Sequence, residues 1–333
     1  MRATVFSAPN KMRELTIQKN DAGQRLDKFL TKALCNIPPA LMYKAIRKKK
    51  IKLNRRRAEG KEILSEGDTL QLFLAEEFFP DATEGDEAEA LGRIQPKLSI
   101  LYEDENVMLL NKRPGILVHE DGDGAGDTLI RHVQAYLYQK GEYNPAAEQS
   151  FAPALCNRID RNTGGIVLAA KNAEVLRILN EKIKAGEVHK YYLCAVHGTP
   201  RPKKALLSGW LIKNQKNNTV TVYDKNPGRG AKDIRTEYTV IAEKNGSALL
   251  EINLLTGRTH QIRAHMAHIG HPLWGDGKYG VNRNDRARGY KFQALYAYRL
   301  AFDFKGDCGA LAYLSGKSFA VPREDVYFTE EFF

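Results

Sequence analysis

Apolar positions in the first third of the chain recur with helical spacing. In RLDKFLTKAL, Leu26, Phe29, Leu30 and Leu34 stand at i, i+3, i+4 and i+8, one stripe of an amphipathic helix. Pro38 and Pro39 close that helix, and Pro39 can open the next, in which Leu41, Ala45 and Ile46 face inward beside Lys44 and Arg47. KIKLN and then ILSEGDTLQLFL predict short strands around the turn-forming Glu66-Gly67-Asp68. From about residue 96 the two periods mix. LSILYEDENVMLLNK predicts a hairpin with acidic turn residues, DTLIRHVQAYLYQ a helix starting from Asp127 as cap, GIVLAAKN a short buried strand, and AEVLRILNEKIKAG a helix ended by Gly186. KYYLCAVHG, TVTVYD, RTEYTVIAE and SALLEINLL alternate or run apolar as strands do, and RTHQIRAHMAHIG is helical. These strands are not separated by regular helices. The expected fold is therefore α+β, a small helix-plus-strand module followed by a domain with a mainly antiparallel mixed sheet.

Length and charge divide the chain further. At 333 residues, with about 150 per domain as a guide, two domains are expected, and a hydrophobic share of 43% excludes wholesale disorder. Lys and Arg number 51 against 40 Asp and Glu, a formal +11. Residues 21–57 hold twelve cations, Arg25, Lys28, Lys32, Lys44, Arg47, Lys48, Lys49, Lys50, Lys52, Arg55, Arg56 and Arg57, against only Asp21 and Asp27, a net +10. Residues 76–90, EEFFPDATEGDEAEA, carry seven acids and no base, the composition of an exposed linker. The predicted organisation is a basic module over 12–75, an acidic linker over 76–95 and a larger domain over 96–325. A charge run is often only a solvated face. Here Lys48-Lys49-Lys50 and Arg55-Arg56-Arg57 repel one another unless an anion neutralises them, and phosphate backbones do so with counterion release. RNA or DNA is the favoured partner.

Other classes are disfavoured. No stretch approaches the roughly 18 apolar residues of a bilayer crossing, and MRATVFSAPNKMRELTI mixes charges into what would be a signal peptide's apolar core. Cys35, Cys156, Cys194 and Cys308 are scattered without a C-x-x-C pair, so reduced thiols in a cytoplasmic protein are expected. With neither G-x-G-x-x-G nor G-x-x-x-x-G-K-[ST] present, no nucleotide cofactor is expected.

Two segments carry unusual polar density between apolar elements. In PALCNRIDRNTGGIVLAAKN, Arg158, Asp160 and Arg161 stand on a tight connection next to Thr163-Gly164-Gly165, and a carboxylate between two cations would be held and oriented there; a structural salt bridge accounts for the pattern equally well. In LLTGRTHQIRAHMAHIGHPLWGDGKYG, His260, His265, His268 and His271 fall within twelve positions. Their spacing is not that of a zinc protease, because Gln261 stands where the glutamate base would be, and His260 lies on a different side from His265 and His268. No metal site is expected. The histidines instead cap, pack or contact an anion near Thr256-Gly257, with Arg258 and Arg263 beside them.

Two resemblances follow from these residues. GQRLDKFL, LMYKAIRKKKIKLN and EGDTL, over residues 12–75, resemble the small RNA-binding module first named for a small-subunit ribosomal protein, which implies RNA binding without implying chemistry. NKRPGILVH, NRIDRNTGG, KYYL and TGRTHQIRAHMAHIGHPLWGDGKYG, over about residues 96–325, resemble in order and separation the motifs of the RluA-type pseudouridine synthase family. This second resemblance implies conversion of uridine to pseudouridine in RNA, with Asp160 as catalytic aspartate, Arg263 as its basic partner, Tyr192 as active-site tyrosine and Arg158 as the side chain that takes the flipped nucleotide's place. Arg161, Arg258, His260 and Gln261 join the basic module as candidate RNA contacts. Asn157 for the usual histidine, Gly164 for serine and Tyr296 for the usual L-H-A histidine are departures from the pattern.

The implied chemistry fits the residue types. Cleaving the bond from ring nitrogen 1 to the sugar, turning the uracil and rejoining it through ring carbon 5 is an isomerisation that uses no metal, triphosphate or redox cofactor. It needs one carboxylate, a cation to aim it and an aromatic surface to retain the base. The expected enzyme acts as a monomer, with ribosomal RNA favoured over transfer RNA; the alternatives are a non-catalytic RNA-binding assembly protein and a His-based metallohydrolase.

Overall fold

The computed structural model describes residues 12–34, 36–79, 84–120 and 126–333. Cys35, residues 1–11, residues 80–83 of the acidic stretch and the last residues of NKRPGILVHEDG, 121–122, lie outside the described residues. The described residues form two compact units, the first comprising those up to 96 together with 131–153 and 171–174, the second the remainder.

In the first unit, β1 (Met12–Thr16), β2 (Ile51–Leu53), β3 (Arg56–Arg57) and β4 (Thr69–Phe73) form an antiparallel sheet in the order β1-β4-β2-β3, with α1 (Leu26–Ala33) and α2 (Pro39–Arg47). The α1 stripe is buried as its spacing requires, with Leu26, Phe29 and Leu30 fully excluded from solvent, each contributing roughly 1.5–3 kcal/mol. In α2 one expectation is corrected: Leu41 is exposed and Met42 is buried instead. With Pro39 as first helical residue, positions 42, 45 and 46 make the inward stripe and position 41 falls outside it. The acidic stretch also differs from a linker. Glu84–Arg93 forms α3, whose Leu91 is fully buried, and the Gln139 amide from α4 (Leu129–Gln139) donates to the carbonyls of Leu91 and Ile94, while Arg131 pairs with Glu87. Residues 131–153, expected in the larger domain, cluster with this unit through bonds such as Asn20 to Glu148 and Gln24 to Ser150.

The second unit is built on an eleven-stranded sheet. Its strands are β5 (Ile100–Glu103), β6 (Val107–Lys112), β7 (Ala154–Leu155), β8 (Gly164–Ala170), β9 (Val188–His197), β10 (Lys204–Asn214), β11 (Thr219–Tyr223), β12 (Lys232–Lys244), β13 (Ser247–Leu254), β14 (Leu295–Phe302) and β15 (Ser318–Ala320). The order is β11-β10-β12-β13-β9-β14-β8-β6-β5, with β15 on β14 and β7 on β8. Every pair is antiparallel except β14 with β8, so the α+β reading with a mainly antiparallel sheet holds. β8, with both faces buried, and β9 pack their apolar residues with Val175 and Leu179 of α5 (Ala173–Ala185) in the main core. α6 (Gln261–His268) contributes Ala264 to a smaller cluster with Leu211, Val222 and Ile234, and α7 (Arg283–Ala287) precedes β14. Among the described residues no helix is long and apolar enough to cross a membrane.

Candidate active site

The turn before β8 carries Asp160, and its backbone is held from several sides. Thr163 N–H donates to the Asp160 carbonyl at 3.0 Å, and the Thr163 hydroxyl accepts from Gln293 at 3.1 Å. The Arg161 carbonyl accepts from Gly115 N–H and from Lys112 Nζ, both at 2.9 Å. Lys112 is 1% exposed and spends its ammonium on the carbonyls of Arg113, Ile116 and Arg161; burial lowers its pKa to about 8, against the pull of the Asp160 charge. Gly165, with φ +112, pairs with Ala297, whose carbonyl oxygen would lie 2.2 Å from any Cβ placed there. Only glycine fits so close an approach.

Arg263, on the first turn of α6, reaches this turn. Its Nη1 donates to Asp160 Oδ2 at 3.0 Å, while Nε and Nη2 grip Asp276 at 2.7 and 2.8 Å. Asp276 is 1% exposed and also accepts the backbone N–H of Lys278 and of Tyr279. Burial acts to raise the Asp276 carboxyl, but the Arg263 hydrogen bonds and charge and the two N–H donors outweigh it, so its pKa lies below the usual range. For Arg263 burial is likewise outweighed, by Asp276 first and Asp160 second, and the guanidinium is held more firmly protonated than usual. The bidentate grip leaves one edge of the fork to aim at Asp160. Tyr192 comes from β9, paired with Ile252 of β13 and Ala297 of β14; it is buried, and burial together with the Asp160 charge raises its pKa.

The start of α6 explains other residues. Gln261 is 2% exposed and fully bonded, donating to the Arg235 carbonyl and Thr236 hydroxyl and accepting from Arg258 N–H and the Thr256 hydroxyl. With no capacity left it is a structural cap, which corrects the expectation of an RNA contact. His260 has a side chain that is 8% exposed and lies between Asp160 and Tyr279. His265 bonds Thr236, His268 bonds Asp224, and His271 bonds the His197 carbonyl, so the four histidines serve four separate partners. A further correction concerns the cations beside Asp160 in sequence. Arg158 is exposed and Arg161 donates to the Gly115 carbonyl; the ion pair to Asp160 comes from Arg263, 103 positions away. Consecutive side chains on a turn diverge, so adjacency in sequence was a poor guide. Arg258 is exposed near Asp233, at 3.7 Å.

Asp276, Tyr279 and Lys112 were not singled out from the sequence, although all three lie in the quoted stretches GDGKYG and NKRPG. The available signal was a charged residue inside an otherwise apolar or glycine-rich run, where burial demands a partner.

In the first unit Lys28, Lys44, Arg47, Lys48, Lys49, Arg55, Arg56 and Arg57 are exposed, and Lys50 and Lys52 are half-buried. Arg25 is spent on Asp27, through Nε at 3.0 Å and Nη2 at 2.7 Å. Asn54 and Arg55, with φ of 50 and 63, form the two-residue turn between β2 and β3, a geometry usually given to Asn-Gly. Lys49, with φ 59, sits just past α2 where the Lys50 N–H bonds back to the Ala45 carbonyl, the place glycine usually takes at a helix end.

Residues 106–268 match the RNA pseudouridylate synthase family. A ribosomal large subunit pseudouridine synthase C from Vibrio vulnificus is 32% identical over 83% of this chain and 82% of its own length. Its counterpart from Haemophilus ducreyi is 30% identical over 86% of this chain and 87% of its own. Two solved human structures share the fold: RNA pseudouridylate synthase domain containing 4, with TM-score 0.54 and 21% identity over 74% of this chain and 96% of that one, and RNA pseudouridylate synthase domain containing 1, with 0.51 and 20% over 70% and 94%.

Proposed function

Because the chain belongs to the RluA-type RNA pseudouridine synthase family, we propose that it isomerises specific uridines of large-subunit ribosomal RNA, with Asp160 as the reacting carboxylate. The observation that supports this assignment is the Asp276–Arg263–Asp160 ladder, in which a buried carboxylate fixes a guanidinium so that its remaining edge meets a half-exposed carboxylate. A purely structural ion pair has no need to leave one carboxylate open at the end of such a chain.

In the reaction the bond from the sugar to ring nitrogen 1 breaks, a bond from the sugar to ring carbon 5 forms, and the hydrogen lost from carbon 5 is balanced by one gained at nitrogen 1. Asp160 acts on the sugar or the base, Arg263 keeps its carboxylate aimed, and the Tyr192 ring retains the detached uracil. The nucleotide leaves its stack at a cost of a few kcal/mol, and the exposed Arg158, two residues from Asp160, fills the gap. The basic module grips phosphate while the larger domain selects the uridine. The test is Asp160→Asn, with pseudouridines mapped by carbodiimide chemistry in total RNA from cells carrying either form or lacking the gene. The variant should lose the modification at every site the wild type serves and keep RNA affinity nearly unchanged; continued modification refutes the assignment, and a site in transfer RNA would redirect the substrate.

A further inference from the structure

His260 has no assigned part in the chemistry, yet it is the second side chain to face the Asp160 carboxylate. It precedes α6 in the left-handed region, φ 52, an uncommon conformation for a residue with a Cβ. That turn directs the ring inward: Nε2 stands 3.9 Å from Asp160 Oδ2 and Nδ1 stands 2.8 Å from the Tyr279 hydroxyl. Tyr279 is committed on its other side, since its oxygen accepts the Val220 N–H at 2.9 Å. Its ring lies edge-on to the imidazole, centroids 5.7 Å apart, and 5.3 Å from the Arg263 guanidinium.

The imidazole is neutral in this setting. Burial, then the charges of Arg263 and Lys278, lower its pKa to about 4 against the opposing pull of Asp160 and Asp276. A neutral imidazole carries one N–H, and the choice of nitrogen is set by the partner on the other. With the proton on Nδ1, the Nε2 lone pair would confront a carboxylate oxygen. With the proton on Nε2, Nδ1 accepts the hydroxyl hydrogen that Tyr279 has free after taking the Val220 N–H, and the N–H dipole points at Asp160.

Resting on the reading that Asp160 is the reacting carboxylate, we propose that Tyr279 locks His260 in the Nε2–H tautomer and that this N–H is a second, uncharged donor positioning Asp160 alongside Arg263. At 3.9 Å the contact is longer than a hydrogen bond; a movement of about 1 Å by the carboxylate closes it. Such a donor stabilises one carboxylate rotamer without adding a second fixed cation to a group that must react. His260 is thus a positioning residue, and Tyr279 positions it in turn.

The experiment labels the histidines of the full chain with nitrogen-15 and reads, near pH 7, which ring nitrogen of His260 carries the proton, assigning the signal by its loss in His260→Gln. Protonated Nε2 with an unprotonated, hydrogen-bonded Nδ1 is expected; protonated Nδ1 overturns the proposal whatever the activity. Tyr279→Phe keeps the ring beside Arg263 and removes only the hydroxyl. It should lose the single-tautomer signature and lower kcat by about 10- to 100-fold, short of the loss of a full oxyanion donor, with KM little changed. His260→Gln, which retains an N–H, should keep more activity than His260→Leu; equal activity of the two, or wild-type kcat in Tyr279→Phe, refutes the role. If Asp160→Asn proves active, the catalytic reading fails instead, while the tautomer measurement stands independently.

Discussion

The ring of Tyr296 fills the space that any side chain at Gly164 would need. A Cβ built on Gly164 would lie 2.4 Å from Tyr296 Cε2 and 2.8 Å from Cδ2, and the two residues are paired across the parallel contact of β14 with β8. The hydroxyl of Tyr296 donates to Asn111 at 2.7 Å, next to Lys112. The two positions at which the sequence departs from the resembled motifs therefore share one volume across the strand that follows Asp160.

This shared volume predicts strong coupling between the two positions. Gly164→Ser alone should destabilise the protein by about 1–3 kcal/mol, the usual cost of overpacking, because the strand that would have to yield leads from the Asp160 turn. Adding Tyr296→His should recover most of the loss, and a double-mutant cycle by denaturant unfolding should show a coupling of about 1 kcal/mol or more. Additive effects would show that the two side chains do not share the space.

Lys112 joins the Asp160 turn to the 113–116 loop through three carbonyls. Lys112→Met keeps the length and apolar stem but leaves those buried acceptors short of a donor, at about 1–3 kcal/mol each for any left wholly unpaired. The pH dependence has a definite sign. The folded pKa of about 8 lies below the 10.5 of the free side chain, so between these values the unfolded chain binds a proton that the folded chain does not. The stability from this group is fully present above about 10.5 and is lost as pH falls through about 8. Unfolding measured from pH 8 to 10 should show this rise in wild type and a flatter curve in Lys112→Met; an unchanged slope would remove Lys112 from the account.

Asp276 is the anchor of Arg263, and Asp276→Asn preserves its volume while removing its charge. Breaking a buried pair typically costs about 3–5 kcal/mol because the remaining charge is left uncompensated. Since Arg263 would then be free to turn from Asp160, kcat should fall more than KM rises. The folded pKa of Asp276 lies below its ordinary 3.8, so its contribution is present above that pH and is lost on further acidification; an acid-unfolding curve for Asp276→Asn should lack this component. A variant with wild-type kcat would mean that Arg263 does not need its anchor.

The elements most legible in the sequence were those whose period is decided by burial on a single face. The α1 stripe and the β8 run, buried throughout, are of this kind. β10 is weakly displayed in the sequence, because its first five residues alternate between exposed and half-buried and Ser208-Gly209 interrupts its apolar positions. The acidic stretch has a linker's composition, but composition reports exposure and not conformation; the buried Leu91 and the bonds from Arg131 and Gln139 hold α3 in place. A second basic region is hidden in the total charge. Residues 201–235 hold nine cations against Asp224 and Asp233, a net +7 offset in the total by the acids of 76–90. At the site, motif resemblance points to Asp160 and Arg263, but the ladder through Asp276 and the His260–Tyr279 pair join the start of α6 to a loop 13 and 19 positions on, a contact that no helix or strand period displays.

Lys49 and Arg55 hold left-handed conformations, φ 59 and 63, that glycine adopts without strain. A structural optimum would place glycine at both. Strain of this kind, of order 1 kcal/mol per residue, persists where function requires the side chain. Both cations are exposed and stand among the residues expected to meet phosphate. Lys49→Gly and Arg55→Gly should therefore each stabilise the protein by a few tenths to about 1 kcal/mol in denaturant unfolding, yet weaken RNA binding and reduce the slope of log affinity against log salt by up to about 1 per cation removed. Opposite signs for stability and affinity would mark these positions as retained for charge. Stabilised variants with unchanged affinity and salt slope would show that the two cations do not contact RNA, and the basic module would have to bind through its other residues.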